Sequence, residues 1–166
     1  MVVLRFEQPH DRSAIYAVHA SGFPTDGEAR LVGLLRQAGH LSLSLLAELD
    51  DRIVGHVAFS PVTTSTGAVG AGLGPIAVLE PHRRLGIAAQ LVESGLAECR
   101  AAGFGWVVVL GSPAYYSRFG FRPASELGLS DEYGGGPAFQ ALELVPGELP
   151  VGAGLVRYAS EFASLG

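Results

Sequence analysis

Two segments of the chain indicate its fold: Gly72-Leu-Gly-Pro-Ile-Ala-Val-Leu-Glu80 and, two residues later, Arg83-Arg-Leu-Gly-Ile-Ala88. The first segment is apolar and typical of a β-strand. The residues that follow, 88–102, have a strong helical pattern, so the second segment is a small-residue turn that opens a helix. Such a turn leaves backbone N–H groups free at the positive end of the helix dipole. Because phosphate groups commonly bind there, the turn predicts a phosphorylated cofactor.

Composition and charge restrict the class of protein. The 166 residues carry a formal net charge of −5, which argues against a nonspecific nucleic-acid binder. Cys99 is the single cysteine and is read as a small helical hydrophobe, so no internal disulfide forms. We find neither a signal-peptide pattern nor an apolar run near the ~20 residues of a membrane span. A cytoplasmic protein without membrane or nucleic-acid partners is therefore expected.

Hydrophobic periodicity predicts one mixed α/β domain over residues 1–166. Alternating or apolar runs predict strands over 2–7, 41–49, 52–61, 71–80, 106–110 and 138–145. Helical spacing predicts helices beginning near Pro9 and over about 25–37, 83–102 and 114–119. The glycines of 70–74 are read as the entry to a hairpin. The end of the chain, 156–165, predicts only a short strand or helix.

The turn resembles the (Gln/Arg)-x-x-Gly-x-(Gly/Ala) motif of the GCN5-related N-acetyltransferases, the GNAT superfamily. Arg83, Gly86 and Ala88 fall on its three defined positions. Small residues let a diphosphate approach the main chain, where several N–H groups share its charge. Arg83 and Arg84 would add charge-assisted contacts.

A second segment, Leu110-Gly-Ser-Pro-Ala-Tyr-Tyr-Ser-Arg-Phe-Gly-Phe121, resembles a later motif of the same family. Tyr116 falls on the tyrosine of that motif, Arg118 on its basic position, and Gly120 begins its Gly-Phe pair. The resemblance is greatest to a branch of small bacterial predicted acetyltransferases.

The resemblance implies a fold and a donor. The expected fold is a mixed sheet of about six to seven strands flanked by about four helices. Two strands, 74–79 and 106–110, should splay apart to admit acetyl-CoA. No metal is implied. The residues expected to bind the cofactor are Ile76, Ala77, Val78, Arg83, Arg84, Leu85, Gly86, Ile87, Ala88, Ser112 and Tyr116.

The resemblance also implies direct attack of an amine on the thioester. Tyr116 is predicted to be the general acid, because a phenol is protonated at neutral pH and suits a departing thiolate. Glu28 is predicted to bind or deprotonate the amine, with Glu80 and His56 as the alternative bases. Many family members carry Asn after the fifth strand, where this chain has Gly111 and Ser112. We expect Ser112 either to replace the asparagine or to leave its hydrogen bond unmade.

The predicted function is transfer of an acetyl group from acetyl-CoA to an amine of a small molecule or a protein. Two alternatives remain: an enzyme that uses a longer acyl donor, and a non-catalytic domain that binds or senses coenzyme A. The acceptor is not identified by the sequence. A homodimer is compatible with the sequence.

Overall fold

A computed structural model describes residues 1–165. It is mixed α/β, as predicted, with nine strands and four α-helices among those residues. The strands are β1 (Val2–Phe6), β2 (Leu43–Leu49), β3 (Arg52–Thr64), β4 (Val69–Val78), β5 (Trp106–Leu110), β6 (Arg122–Pro123), β7 (Leu129–Asp131), β8 (Phe139–Glu143) and β9 (Gly154–Arg157). The helices are α1 (Arg12–Gly22), α2 (Gly27–Ala38), α3 (Ile87–Ala101) and α4 (Pro113–Tyr116). Within 1–165, every helix is too short or too polar to cross a bilayer.

The described residues form two compact units. The first unit comprises Met1–Phe59, Pro75–Gly95 and the residues from Ser160 onward, and the second comprises Ser60–Gly74 and Leu96–Ala159. Strands β3 and β4 and helix α3 each contribute residues to both units. The expectation of a single domain stays a prediction.

The first unit is built on an antiparallel meander of β1, β2 and the first half of β3. The alternating sequence forms the strand β2 as predicted, but its burial does not alternate, because the consecutive residues Leu45, Leu46 and Ala47 are all buried. Ile15 of α1 and Val32 of α2 form a core cluster with Leu46 and Ala58 of the sheet. Just beyond β4, the N–H of Leu79 donates to the carbonyl of Val54 at 2.8 Å, which holds the end of β4 on β3.

Two glycines bring α3 close to β3 within the first unit. A Cβ atom on Gly55 would lie 3.1 Å from Leu91 of α3, and one on Gly95 would lie 2.5 Å from the ring of Phe59. Real Cβ atoms do not approach a carbon at 2.5 Å, so residue 95 must be glycine while Phe59 keeps its place. These contacts fix the start of α3, and therefore the turn that precedes it.

Gly95→Ala is expected to lower the free energy of unfolding by about 1–3 kcal/mol, because the added methyl overpacks the fully buried Phe59. Gly33→Ala is the matched control. It lies inside α2, where no described atom is within 4 Å of a Cβ, and helix propensity should stabilise it by up to about 1 kcal/mol. Urea titrations of both variants test this expectation, and changes of equal sign would contradict it.

In the second unit β4 pairs with β5 in parallel over only three residue pairs, Ala71–Leu73 with Val107–Val109. The last pair is Leu73 with Val109, and the next residue, Gly74, has a φ of 136°, which departs from a regular strand. The splay of 74–79 from 106–110 stays a prediction. Beyond β5 the neighbours are β8 and then β6, both antiparallel. Strand β9 pairs with β3 and with β7.

Two details of the prediction need correction. The strand count exceeds six to seven because β6, β7 and β9 have only two to four residues, too few for a periodic pattern. The glycines of 70–74 do not open a hairpin but lie inside β4. Gly70 makes room for the ring of Trp106, and Gly72 for Tyr158. Those long-range contacts leave no local signal in the sequence.

Candidate active site

The turn before α3 differs from its prediction in one respect. The helix begins at Ile87 rather than near Arg83, and residues 83–86 form the turn. Two of them have left-handed backbones, Arg84 with φ 67° and Gly86 with φ 78°. Left-handed residues cannot continue a right-handed helix, which explains the late start. Gly86 adopts this conformation without strain, whereas Arg84 does so at a cost.

The start of α3 presents unpaired backbone donors. The first i→i−4 hydrogen bond of the helix runs from the N–H of Gln90 to the carbonyl of Gly86 at 3.1 Å. The N–H groups of Ile87, Ala88 and Ala89 therefore precede the hydrogen-bonded ladder. Together with the positive end of the helix dipole, these groups suit an anion, while the binding of a diphosphate by this turn stays a prediction.

The two arginines of the turn have different surroundings. The Nε of Arg83 donates to the carbonyl of Val78 at 2.9 Å, and its backbone N–H donates to Glu80 at 3.2 Å. These bonds close the turn onto the end of β4, although Arg83 is itself an exposed residue. Arg84 is exposed to solvent. The predicted contacts of both side chains with a diphosphate stay predictions.

Tyr116 lies at the end of α4 in the second unit, with only 7% of its surface exposed. Its ring contacts Tyr115 edge-on at 5.1 Å and Phe121 at 5.7 Å between centroids. Burial and the neighbouring Tyr115 raise the pKa of Tyr116 to about 12. The phenol is therefore protonated at neutral pH, as donation to a thiolate requires.

Gly111 and Ser112 explain the departure from asparagine after β5. A Cβ on Gly111 would lie 2.4 Å from the ring of Tyr116, so glycine lets that ring pack against the backbone. The Oγ of Ser112 accepts from the N–H of Tyr115 at 3.4 Å and caps α4. Both residues thus place Tyr116, while the predicted contact of Ser112 with the cofactor stays a prediction.

The three base candidates lie in different settings within the first unit. Glu28 is half-buried in the first turn of α2, and Glu80 is exposed after β4. His56 is fully buried on β3, with both ring nitrogens in hydrogen bonds. The structure does not bring the three side chains into one hydrogen-bonded group among the described residues.

A buried polar chain surrounds His56. Its Nδ1 lies 2.7 Å from Nε2 of His19, and its Nε2 lies 2.8 Å from Oγ of Ser44. Ser44 donates to Glu7 at 2.6 Å, and Glu7 accepts two bonds from Arg36 at 2.7 and 2.8 Å. In the sequence, His19 follows Ile15 and Val18 at helical spacing, on an apolar stripe. A histidine on such a stripe was the one signal available.

The two histidines should make the protein sensitive to acid. Burial lowers the pKa of His19 from its ordinary value near 6.5 to about 4, and lowers that of His56 as well. Between pH 6.5 and 4 the unfolded chain binds protons that the folded chain excludes. The free energy of unfolding therefore decreases as the pH is lowered through this range. The expected loss is about 3 kcal/mol for His19 alone.

Denaturant titrations from pH 7 to 4 measure this loss. His19→Gln should make the free energy of unfolding depend less steeply on pH over this range. A wild-type stability that is constant from pH 6.5 to 4.5 would contradict the expectation.

Comparison with known proteins gives one family. Residues 12–121 match the Acetyltransferase (GNAT) family. The chain is 40% identical over 164 residues to the uncharacterized N-acetyltransferase YhbS of Escherichia coli, covering 97% of this chain and 98% of that one.

Two crystal structures resemble the fold closely. The structure of E. coli YhbS in complex with CoA has a TM-score of 0.94 and 40% identity, covering 99% of this chain and 93% of that one. A GNAT family acetyltransferase from Brucella melitensis, in complex with acetyl-CoA, has a TM-score of 0.82 and 35% identity. That match covers 98% of each chain.

Proposed function

Since the chain belongs to the GNAT family of acetyltransferases, we propose that it transfers the acetyl group of acetyl-CoA to an amine by direct attack. The observation that carries this proposal is the turn before α3, where Gly86 and the free N–H groups of Ile87, Ala88 and Ala89 fit a diphosphate. The CoA and acetyl-CoA complexes of the two relatives support the same donor. The chain acts as one acetyltransferase domain in the cytoplasm.

Each predicted site residue has a role in the proposed reaction. The turn binds the diphosphate, while the main-chain groups of Ile76, Ala77 and Val78 bind the pantetheine arm. Acetyl-CoA supplies an acyl group already activated as a thioester. Tyr116 protonates the sulfur that leaves, since its pKa of about 12 keeps the phenol protonated until that step.

Glu28 attracts the acceptor in this proposal. Its carboxylate lies half-buried in the first turn of α2 and has no side-chain hydrogen bond to another described residue, so it can bind an ammonium group. This favours an acceptor amine that is cationic in solution.

Ligand binding tests the donor first. Acetyl-CoA and CoA should each raise the melting temperature at concentrations above their Kd, because they bind only the folded state. ATP, which shares the nucleotide but lacks the pantetheine arm, should raise it less. Absence of a shift with both CoA species would rule out the proposal.

Turnover is the second test. Thiol release from acetyl-CoA is measured with a polyamine, an amino acid, an arylamine and a peptide with a free N-terminus. Release that depends on one of these amines supports the enzyme. Binding of CoA without any turnover would instead favour a CoA-sensing domain, and faster turnover with longer acyl-CoA donors would favour the other alternative.

A further inference from the structure

The ladder between β5 and β8 lacks one backbone hydrogen bond at its end. Its last pair is Leu110 with Phe139. The next two residues also face each other, and the N–H of Gly111 donates to the carbonyl of Ala138 at 3.0 Å. In an antiparallel ladder such a pair exchanges two bonds, the second from the N–H of Ala138 to the carbonyl of Gly111. Here the N–H of Ala138 donates instead to the carbonyl of Gly135 at 3.1 Å, so the carbonyl of Gly111 needs another donor.

The side chain of Gln140 supplies that donor. It is 1% exposed, and its Nε2 lies 3.2 Å from the carbonyl oxygen of Gly111 and 3.3 Å from that of Ala138. Because both partners can only accept, the amide nitrogen must face them, and each of its two hydrogens has one acceptor. A buried amide without partners is costly, so these bonds account for a polar residue in the interior of β8. Gln140 thus completes the end of the ladder with its side chain.

Gly111 is also the backbone on which Tyr116 packs. A Cβ at this glycine would overlap the ring of Tyr116, so the ring rests directly on the Gly111 peptide. The hydroxyl of Tyr116 makes no hydrogen bond to another described residue, and it is not among the fully buried polar atoms that lack a partner. The hydroxyl therefore reaches solvent while the ring is held by packing. Its position depends on what supports the ring.

We propose that Gln140 is a positioning residue, which holds the Gly111 peptide so that the hydroxyl of Tyr116 lies where the departing sulfur can take its proton. This inference rests on the proposed function, in which Tyr116 is the acid. Gln140 itself neither touches the substrate nor transfers a proton. All three residues belong to the second unit. Their geometry matters because a misplacement of about 1 Å at a reacting group can cost on the order of 100-fold in rate.

The hydrogen bonds of Gln140 are tested first in the wild type, without turnover. Both hydrogens on its Nε2 should exchange slowly with water in NMR experiments, as those of bonded and buried amides do. Rapid exchange of these hydrogens would contradict the inference.

The effect on Tyr116 is tested next, again in the free protein. Gln140→Met keeps the length of the side chain and removes both donors, so the carbonyl of Gly111 loses its bond. In protein labelled with carbon-13 at Cζ of tyrosine, the signal of Tyr116, assigned with Tyr116→Phe, should move. An unchanged signal of Tyr116 in Gln140→Met would overturn the inference.

Val156→Ala is the matched control for lost stability. Val156 is fully buried in β9 of the second unit and lies outside β5 and β8. Both Val156→Ala and Gln140→Met should unfold at lower denaturant concentrations than the wild type, but only Gln140→Met should move the signal of Tyr116. An equal shift of this signal in both variants would assign it to general loosening and refute the positioning role.

Kinetics with whichever amine of the panel is turned over test the catalytic consequence. Gln140→Met should lower kcat by about 10-fold, whereas Val156→Ala should leave it nearly unchanged. In the Tyr116→Phe background, Gln140→Met should lower kcat no further, because Gln140 acts only through that hydroxyl. Equal factors in the two backgrounds would refute the inference and leave the acetyltransferase intact. A wild type inert with every amine would reject both.

Discussion

Gly86→Val is expected to weaken the binding of acetyl-CoA by at least about 100-fold. The residue has a φ of 78°, which a β-branched side chain adopts only as a strained outlier. Relieving the strain moves the N–H groups at the start of α3 away from the diphosphate. Two lost hydrogen bonds to a charged group, at about 1.5–3 kcal/mol each, account for the factor. Isothermal titration with acetyl-CoA measures it.

Gly39→Val separates this effect from a general loss of stability. Gly39 ends α2 with nearly the same φ, 76°, and at both glycines no described atom lies within 4 Å of a Cβ. Both valine variants should lose similar stability in denaturant titrations, but only Gly86→Val should lose affinity. Unchanged affinity in Gly86→Val would show that the turn does not bind the diphosphate.

Tyr116→Phe is expected to lower kcat by about 100-fold or more and to leave the affinity for acetyl-CoA nearly unchanged. Phenylalanine keeps the ring that packs on Gly111 and Phe121, so the change removes only the hydroxyl. The proton for the leaving sulfur must then come from water. Thiol release with the preferred amine measures kcat, and titration with acetyl-CoA measures affinity.

Tyr115→Phe is the matched control, since Tyr115 adjoins Tyr116 in the same helix. The guanidinium of Arg118 lies over the ring of Tyr115, 4.4 Å from its centroid. This contact needs no hydroxyl, so turnover should change little. With the pKa of Tyr116 at about 12, the contribution of this acid should persist to about pH 10 and decline only as pH approaches 12. Equal kcat in wild type and Tyr116→Phe would exclude this tyrosine as the acid.

The parts of the fold that depend on local patterns were predictable from the sequence. The alternation of β2, the β-branched run of β5 and the small-residue turn at Gly86 each carry their own signal, and the structure has all three. Short strands such as β7 carry no periodicity, and β7 exists because β9 pairs with it. The start of α3 was misplaced because the left-handed backbone of Arg84 is not encoded by a residue that favours it.

The donor side of the proposed site was accessible to sequence reasoning, since a turn and the motif around Tyr116 are continuous in the chain. The polar chain was not. Glu7, His19, Ser44 and His56 come from three strands or loops and one helix, and only packing brings them within hydrogen-bond distance. The family motifs and the turn could be found from the sequence, because each is a continuous stretch of residues. Which histidines join the buried polar chain depended on tertiary packing, because their hydrogen-bond partners are distant in the chain.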